Sequence, residues 1–264
     1  MATNITEKSI LIITVERKGL GDWVFLIRSP LFVRTMVLYT AGRTTTYPPT
    51  PPSEGVRFHF LGGAQEVGNV GCVIEDHTGM RLLIDYGLAP TRPPKYPTEA
   101  PSVSDVILTH AHIDHIGMVP WLASAYGTRI HGSALTAAVS EIMWSDTYKV
   151  SDIEGYPLGW DKRDMETALD SWVTHELGHW FEVGTWRCRL HGAGHIPGAA
   201  MVEIETPETR ILWSGDIDTR DSPNAGAASP VDCDILCLEG TYGGRHHKPR
   251  AEEEARFVAR ILEV

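Results

Sequence analysis

Three histidines and one aspartate lie within six consecutive positions, in the segment His-Ala-His-Ile-Asp-His at residues 110–115. Imidazole nitrogens and carboxylate oxygens are the ligands that Zn²⁺ and similar borderline cations prefer in proteins. On an extended loop, His110 and His112 project to the same side. Asp114 and His115 follow where the chain bends into a helix, so they can face a neighbouring point. One loop can therefore serve two metal ions about 3.5–4 Å apart, the separation used in two-metal hydrolysis.

Two further segments offer the additional ligands that two metal ions require. His195 lies between glycines in residues 192–198 (GAGHIPG), where the backbone must approach a neighbour closely. Asp216 follows an apolar strand predicted at residues 210–213. Because functional groups collect at strand ends in α/β proteins, we expect His195 and Asp216 to join the cluster.

The order of these residues resembles the metallo-β-lactamase superfamily, whose pattern is an aspartate ending a strand, an HxHxDH segment, a single histidine and a single aspartate. Asp85 ends the strand predicted at residues 81–84 and takes the first place in this pattern. The resemblance implies an α/β fold in which two β-sheets flanked by helices form an αββα sandwich. It also implies two Zn²⁺ ions as cofactors, and an Asp85 that binds no metal but holds the ligand loop in place.

The same resemblance implies a role for each candidate ligand. The first Zn²⁺ would be bound by His110, His112 and His195. The second would be bound by Asp114 and His115, with Asp216 bridging both ions. Asp114 would also act in catalysis, by orienting the attacking water or accepting its proton.

Three glycine-containing segments narrow the resemblance to the β-CASP branch of that superfamily. They are residues 62–68 (GGAQEVG), 193–198 (AGHIPG) and 238–243 (LEGTYG). This branch contains RNA and DNA nucleases, including archaeal and eukaryotic cleavage factors for mRNA 3′ ends and RNase J. By this resemblance Glu239 is the first β-CASP motif and acts in catalysis by orienting an acid histidine, although the branch usually has serine where this chain has Gly240. His246 and His247 follow the same turn and are candidates for substrate contacts.

The position of the last residue, Val264, adds an expectation about completeness. Members of the branch continue through the β-CASP insert and then complete the lactamase fold. Those later parts carry the general-acid histidine and the last histidine ligand of the second metal. We therefore expect a fold that is incomplete at its C-terminus and a second zinc site that lacks a ligand, which leaves the activity of the isolated chain open.

The expected function is that of a zinc-dependent hydrolase, and first of all a ribonuclease that cleaves RNA phosphodiester bonds in mRNA 3′-end processing or decay. Single-stranded DNA is the second substrate to consider, and the expected protein partners are further copies of the chain or a β-CASP homologue. Two alternatives stay open. One is a hydrolase of the same fold that acts on another ester or a thioester, and the other is a non-catalytic, truncated subunit.

The composition of the 264 residues fits a globular protein without a membrane span. A formal net charge of −11 argues against a surface that binds nucleic acid by bulk attraction, although a metal site can still hold one phosphate. No stretch of about 20 apolar residues is present. The four cysteines show neither a disulfide framework nor a CxxC pair, so we expect a cytoplasmic protein.

The chain divides at a proline-rich stretch that ends at residue 55. We predict an N-terminal extension and linker at residues 1–55, a metallo-β-lactamase domain at residues 56–238 and the start of the β-CASP insert at residues 239–264. The extension is either a small added element or a segment without a fold of its own. The predicted strands are residues 56–61, 72–75, 81–84, 103–109, 180–183, 186–191, 200–205, 210–213 and 235–238. The predicted helices are residues 118–126, 134–144, 162–172 and 252–262.

One segment matches the sequence signature of a different metal site. Residues 175–179 (HELGH) fit the HExxH signature of zinc proteases, in which two histidines one helical turn apart bind the ion. The following Trp180 and Phe181, with Gly184 beyond them, favour a pair of strands over a continuing helix, so we treat the match as coincidental. His191 is expected on the surface of the second of these strands.

Overall fold

The computed structural model describes residues 50–64, 66–98, 100–245 and 247–263, and the backbone alone of residues 11–17 and 23–26. The strands in this part of the chain are β1 (Leu11–Arg17), β2 (Trp23–Leu26), β3 (Val56–Gly62), β4 (Gly71–Asp76), β5 (Arg81–Tyr86), β6 (Asp105–Ile107), β7 (Arg129–Gly132), β8 (Trp172–Thr174), β9 (Trp180–Val183), β10 (Trp186–Gly192), β11 (Ala200–Glu205), β12 (Arg210–Trp213) and β13 (Ile235–Leu238). The helices are α1 (Ile113–Ile116), α2 (Val119–Tyr126), α3 (Ala134–Glu154), α4 (Lys162–Asp170) and α5 (Arg250–Leu262).

The strands form two sheets. A six-stranded sheet has the order β3-β4-β5-β6-β7-β8, and a seven-stranded sheet has the order β2-β1-β13-β12-β11-β10-β9. The predicted α/β fold with two sheets and helices is confirmed by this architecture.

The six-stranded sheet brings Asp85 next to the histidine-rich segment. Strand β5 pairs in parallel with β6, and β6 pairs in parallel with β7. Parallel neighbours end at the same edge of a sheet. Asp85 near the end of β5 and His110 shortly after β6 therefore meet at one edge, as is usual for functional groups of α/β folds.

Two apolar cores surround the six-stranded sheet because side chains on a strand alternate between its faces. Leu82 and Ile84 point to the core between the two sheets, where they meet Val202 and Trp213 of the other sheet. Leu83 points the opposite way, into a core shared with helices α2, α3 and α4. Each aliphatic side chain fully buried in this way contributes roughly 1.5–3 kcal/mol, so the sheet is a rigid base for the residues at its edge.

Two buried tryptophans fix the end of the ligand segment. Trp144 on α3 donates from Nε1 to the carbonyl of Ile116 at 3.0 Å, and Trp160 donates to the carbonyl of Gly117 at 2.8 Å. These carbonyls lie at the C-terminus of α1, where the helix leaves acceptors without partners in its own turn. The tryptophans therefore stabilise the turn that carries Asp114 and His115.

The seven-stranded sheet delivers the other candidate residues. Strands β10 and β11 form an antiparallel hairpin whose loop contains His195. Strands β12 and β13 run in parallel, so Asp216 after β12 and Glu239 after β13 lie at the same edge. This edge faces the site because the backbone N–H of Ala200, at the start of β11, donates to the carbonyl of Thr109 at 2.8 Å.

The N-terminal extension contributes two strands to the seven-stranded sheet. Strand β1 pairs antiparallel with β13, from Leu11 opposite Leu238 to Thr14 opposite Ile235. Strand β2 then pairs antiparallel with β1. Of the two alternatives for residues 1–55, the pairing favours an added element for these strands.

The observed helices and strands differ from the prediction in several places. Strand β6 covers only Asp105–Ile107 of the predicted residues 103–109, and β1, β2 and α1 were not predicted. Helix α3 extends ten residues beyond the predicted end at 144, to Glu154, because its buried face continues through Thr147 and Ser151 and only Gly155, with φ of 71°, ends it. Helix α4 ends at Asp170 because Trp172 begins strand β8. Strands β7 and β8 have four and three residues, too few to show an alternating pattern.

Within the described residues, no helix is long and apolar enough to cross a membrane. All four cysteines are free; Cys72, Cys188 and Cys237 are buried, and Cys233 is partly buried.

Candidate metal centre

Four of the predicted ligands converge on one point. Ligand atoms of His110, His112, His195 and Asp216 all lie within 4.8 Å of one another. Nδ1 of His112 is 3.0 Å from Nε2 of His110 and 3.2 Å from Nε2 of His195. Three imidazoles thus point nitrogen atoms at a common centre, which is the donor set that a borderline divalent cation prefers.

The remaining two predicted ligands lie on the other side of Asp216. Its Oδ2 atom is 3.6 Å from Nε2 of His195, whereas its Oδ1 atom is 3.6 Å from Nε2 of His115. Asp114 reaches the same region, with Oδ2 at 4.0 Å from Nε2 of His115. The two oxygens of Asp216 therefore face two different groups of predicted ligands.

A buried carboxylate sets the orientation of two ligands. Asp85 is fully buried, and its Oδ1 accepts the backbone N–H of Thr109 at 2.8 Å. Its Oδ2 lies 2.8 Å from Nδ1 of His115 and 2.8 Å from the hydroxyl of Thr109. A carboxylate only accepts hydrogen bonds. His115 therefore donates through Nδ1 and leaves Nε2 free to bind a cation.

The Thr109 hydroxyl also fixes the orientation of the His110 ring. Because this hydroxyl donates its one hydrogen to Asp85, its oxygen accepts from Nδ1 of His110, 3.0 Å away. His110 then presents the lone pair of Nε2 to the centre. One buried carboxylate thus fixes the tautomers of a ligand on each side of Asp216.

The electrostatics of the site also suit a cation. Burial, together with the neighbouring imidazoles, holds the pKa of His110 well below its ordinary value, so the ring stays neutral and able to bind metal. Burial alone would lower the pKa of His115, but the carboxylates, Asp85 foremost, raise it to about 9. Without metal, the ring is therefore protonated at neutral pH, and a bound cation would displace the proton from Nε2. Burial raises the pKa of Asp216. Four imidazoles and two carboxylates grouped in this way are the donor set of a divalent metal, so the residues present fit such an ion.

We expect Thr109→Val to weaken metal binding without unfolding the chain. The substitution keeps the shape of the side chain but removes the hydroxyl that connects Asp85 with His110. Loss of such a partner of a metal ligand typically costs 10–100-fold in affinity. Titration of the metal-free protein with Zn²⁺ in a competing chelator measures the change.

Thr128→Val is the matched control for this prediction. Thr128 is also fully buried, and its hydroxyl donates to the carbonyl of Val103 at 2.7 Å, in a part of the core that holds no ligand. Both variants should lose about 1–3 kcal/mol of stability. Equal zinc affinity in the two variants would contradict the role given to Thr109.

The loop of His195 is held by the start of α3. The hydroxyls of Ser133 and Thr136 donate to the carbonyl of Gly198 at 2.8 and 2.9 Å. Gly198 has a φ of 87° and its Cα lies so close to α3 that a Cβ would be 2.8 Å from the backbone nitrogen of Thr136. A glycine is therefore required where the loop turns back towards β11.

Glu239 lies beside the metal ligands in a cleft that Asp114, His115 and Asp216 also line. Its backbone N–H donates to the hydroxyl of Ser214 at 3.0 Å, and its Oε2 accepts the N–H of Thr241 at 2.8 Å. These contacts fix the carboxylate at the end of β13. The charge of Glu239 also contributes to the raised pKa of Asp216.

The other candidate residues that the structure describes have contacts of their own. His247 contacts the ring of Tyr242, with the centroids 4.5 Å apart, and His246 lies outside the described residues. His191 on β10 is partly buried and its Nε2 is 2.7 Å from the carboxylate of Glu203. Residues 175–179 form a turn rather than a helix, and His179 is exposed, so the HExxH geometry is not formed.

Two residues of the site were not predicted from the sequence. Thr109 makes the hydrogen bonds to Asp85 and His110 described above. Its position directly before the histidine-rich segment was the only feature of the sequence that could have indicated this role. Gly87 lies against the turn of Asp114, where an added Cβ would overlap the carbonyl of that residue. The sequence indicated only a glycine two positions after Asp85, and a glycine is common at the end of a strand.

The fold and the site together define a two-sheet α/β protein with a histidine- and aspartate-rich metal centre at the sheet edge. The sequence profile described as the metallo-beta-lactamase superfamily matches residues 66–228. The chain belongs to this superfamily, which confirms the resemblance seen in its motifs. Membership indicates a divalent metal as cofactor.

Curated relatives extend the comparison. An RNase of Saccharolobus solfataricus is 28% identical, over 78% of this chain and 42% of its own length. Cleavage and polyadenylation specificity factor 73 of Drosophila melanogaster is 28% identical, over 82% of this chain and 33% of its own length. A ribonuclease of Thermus thermophilus is 32% identical, over 70% of this chain and 43% of its own length. The chain thus spans less than half the length of these relatives.

Proposed function

We propose that the chain is a metal-dependent hydrolase of the β-CASP type that binds two Zn²⁺ ions and cleaves phosphodiester bonds of RNA. The observation that carries the proposal is the position of Asp216, whose two oxygens face two separate groups of predicted ligands. The relatives whose names describe ribonucleases support RNA as the substrate. The three β-CASP-like segments favour RNA over a small ester or thioester.

The residues of the chain divide the work of binding and proton transfer. His110, His112 and His195 would hold the first ion, and Asp114 and His115 would hold the second. Bound Zn²⁺ supplies an acidic water at neutral pH and positive charge for the phosphate oxygens. Asp114 lines the cleft and can orient the water or accept its proton, because its carboxylate lies at the edge of the ligand set. Asp85 keeps His115 in the orientation that this arrangement needs.

The proposal is tested by metal content and hydrolysis measured on the same preparation. We expect the purified chain to bind one Zn²⁺ ion firmly through His110, His112 and His195, and a second ion more weakly because that site is expected to lack one ligand. With both ions bound, the chain should cleave bis(4-nitrophenyl) phosphate and a single-stranded RNA. Chelation should abolish both activities and added Zn²⁺ should restore them. A purified chain that takes up no metal after zinc supplementation would contradict the proposal.

A substrate panel separates the alternative hydrolase from the nuclease. Hydrolysis of a thioester or carboxylate ester at a higher kcat/KM than any RNA or single-stranded DNA would favour the alternative. Zinc binding without hydrolysis of any member of the panel would favour a non-catalytic subunit.

A further inference from the structure

The cleft beside the metal centre contains little that could attract a polyanion. Glu66, Asp114, Asp216 and Glu239 are among its lining residues, and no lysine or arginine is found among the described residues that line it. The formal net charge of the chain is −11. Proteins that grip nucleic acid by its phosphates need several cations along the path of the backbone. Apart from the one phosphate that the metal ions would hold, a nucleic acid bound in this cleft needs another kind of contact.

An exposed aromatic side chain lies next to this cleft. Tyr242 comes directly after Thr241, which lines the cleft, and 57% of its surface is exposed. Exposed tyrosine rings at the border of a cleft provide a flat apolar face with a polar end. Base stacking on such a ring depends little on which base is offered, because every base has a π-face.

The ring of Tyr242 has one aromatic neighbour, and its backbone lies in a hydrogen-bonded turn. His247 meets it edge to face, with centroids 4.5 Å apart and an interplanar angle of 79°. The N–H of Gly243 donates to the carbonyl of Gly240 at 3.0 Å, and the N–H of Arg245 donates to the carbonyl of Tyr242 at 3.0 Å. Thr241 is fixed by its hydrogen bond to Glu239. A ring with such a neighbour loses less conformational entropy on stacking with a base than a ring without one.

We propose that Tyr242, braced by His247, stacks on a base of single-stranded RNA adjacent to the phosphodiester at the metal centre. The proposal rests on the proposed function and adds the contact that positions the substrate. Bases within a duplex are already stacked on each other, so only an unpaired base can use this face. Tyr242 is a substrate-positioning residue and takes no part in proton transfer.

Binding of a single-stranded RNA that carries one 2-aminopurine tests the proposal directly. The full chain is loaded with zinc and the RNA is a hydrolysis-resistant analogue, so that no cleavage occurs. Binding is followed by fluorescence anisotropy and by quenching of the 2-aminopurine. We expect Tyr242→Ala to weaken the Kd about 10-fold and to remove the quenching, since one base–aromatic stack is lost. Tyr242→Phe should bind within about two-fold of the unaltered chain, because the ring remains.

Two controls separate stacking from general damage and from charge. Tyr126 is also exposed, at 43%, but lies at the end of α2 among residues that do not line the cleft, so Tyr126→Ala should bind as the unaltered chain does. The affinity should also depend weakly on salt, with a slope of log Kd against log[salt] that corresponds to fewer than about two phosphate contacts. Unchanged binding by Tyr242→Ala, a steep salt dependence or no binding of the RNA by the unaltered chain would each overturn the proposal.

Failure of this proposal is distinguishable from failure of the proposed function. Hydrolysis of bis(4-nitrophenyl) phosphate by the zinc-loaded chain reports on the metal centre alone. If Tyr242→Ala raises KM for RNA and leaves kcat and the metal content unchanged, both proposals stand. If the variant cleaves RNA with unchanged KM, the stacking proposal fails while the hydrolase remains.

Discussion

Asp216→Asn is expected to remove at least one bound metal ion and to lower the rate of RNA hydrolysis by about 10³-fold. The side-chain oxygens of Asp216 face His195 on one side and His115 on the other, at 3.6 Å each. An asparagine keeps one oxygen but turns an uncharged NH₂ group towards one of the two ligand sets. A metal centre contributes several kcal/mol to the lowering of the barrier, and each 1.36 kcal/mol corresponds to a factor of ten in rate.

The loss would come from the site and not from unfolding. Because burial raises the pKa of Asp216, its ionised carboxylate destabilises the metal-free fold at pH values above the ordinary pKa of the group. Asparagine removes this charge, so the Tm of the metal-free variant should not fall. Metal content, Tm with and without zinc, and hydrolysis of bis(4-nitrophenyl) phosphate are measured together.

Asp218→Asn is the control for this substitution. Asp218 lies two residues further along, where its carboxylate is paired with Arg220 at 3.0 Å and takes no part in the ligand set. Its replacement should leave metal content and activity unchanged. An Asp216→Asn variant that keeps two metal ions and full activity would exclude a bridging role for this residue.

The fold class was predictable from the sequence because the strands carry their own pattern. Strand β10 alternates in residue type along its seven positions, and β4 contains the short apolar run at residues 72–74. The metal-binding segments were recognisable for a related reason, since three imidazoles and a carboxylate within six residues have few structural explanations. The structure brings these residues to the same sheet edge as His195 and Asp216.

Short elements and long-range contacts could not be predicted in this way. Strands β7 and β8 are held by parallel pairing with a neighbour, from Ile130 opposite Trp172 to Gly132 opposite Thr174, and not by a pattern of their own. The pairing of β1 with β13 joins segments more than 200 residues apart. Nothing in the sequence of β1 identifies β13 as the strand with which it pairs. Threonine hydroxyls and glycines likewise show their roles only when the neighbouring chain is in place.

Gly87→Ala is expected to destabilise the chain by at least about 3 kcal/mol and to remove the ion bound by Asp114 and His115. A Cβ at this position would lie within bond-length range of the carbonyl of Asp114. That carbonyl cannot move away freely, because it accepts the N–H of Val70 at 2.8 Å, while the N–H of Gly87 donates to the carbonyl of Val70 at 2.9 Å. Overpacking against a fixed backbone costs about 1–3 kcal/mol or more, so the ligand turn itself must shift.

The effect of this shift on function should exceed its effect on stability. A displacement of about 1 Å at a catalytic group can cost 10²-fold in rate. For a domain of this size, 3 kcal/mol corresponds to a fall in Tm of roughly 6–12 °C, which leaves the variant folded at room temperature. Zinc stoichiometry, Tm and kcat for bis(4-nitrophenyl) phosphate distinguish the two effects.

Gly192→Ala is the matched control for Gly87→Ala. Gly192 ends β10 just before the loop of His195, but no atom lies within 4 Å of an added Cβ. The same substitution there should change zinc stoichiometry and kcat by less than about two-fold, since a surface substitution usually costs no more than about 0.5 kcal/mol. If the Gly87→Ala variant instead binds two ions and its Tm is unchanged, the Asp114–His115 turn is not held by its packing against Gly87. Its position would then be set by its other contacts, among them the hydrogen bonds that Trp144 and Trp160 donate to the end of α1.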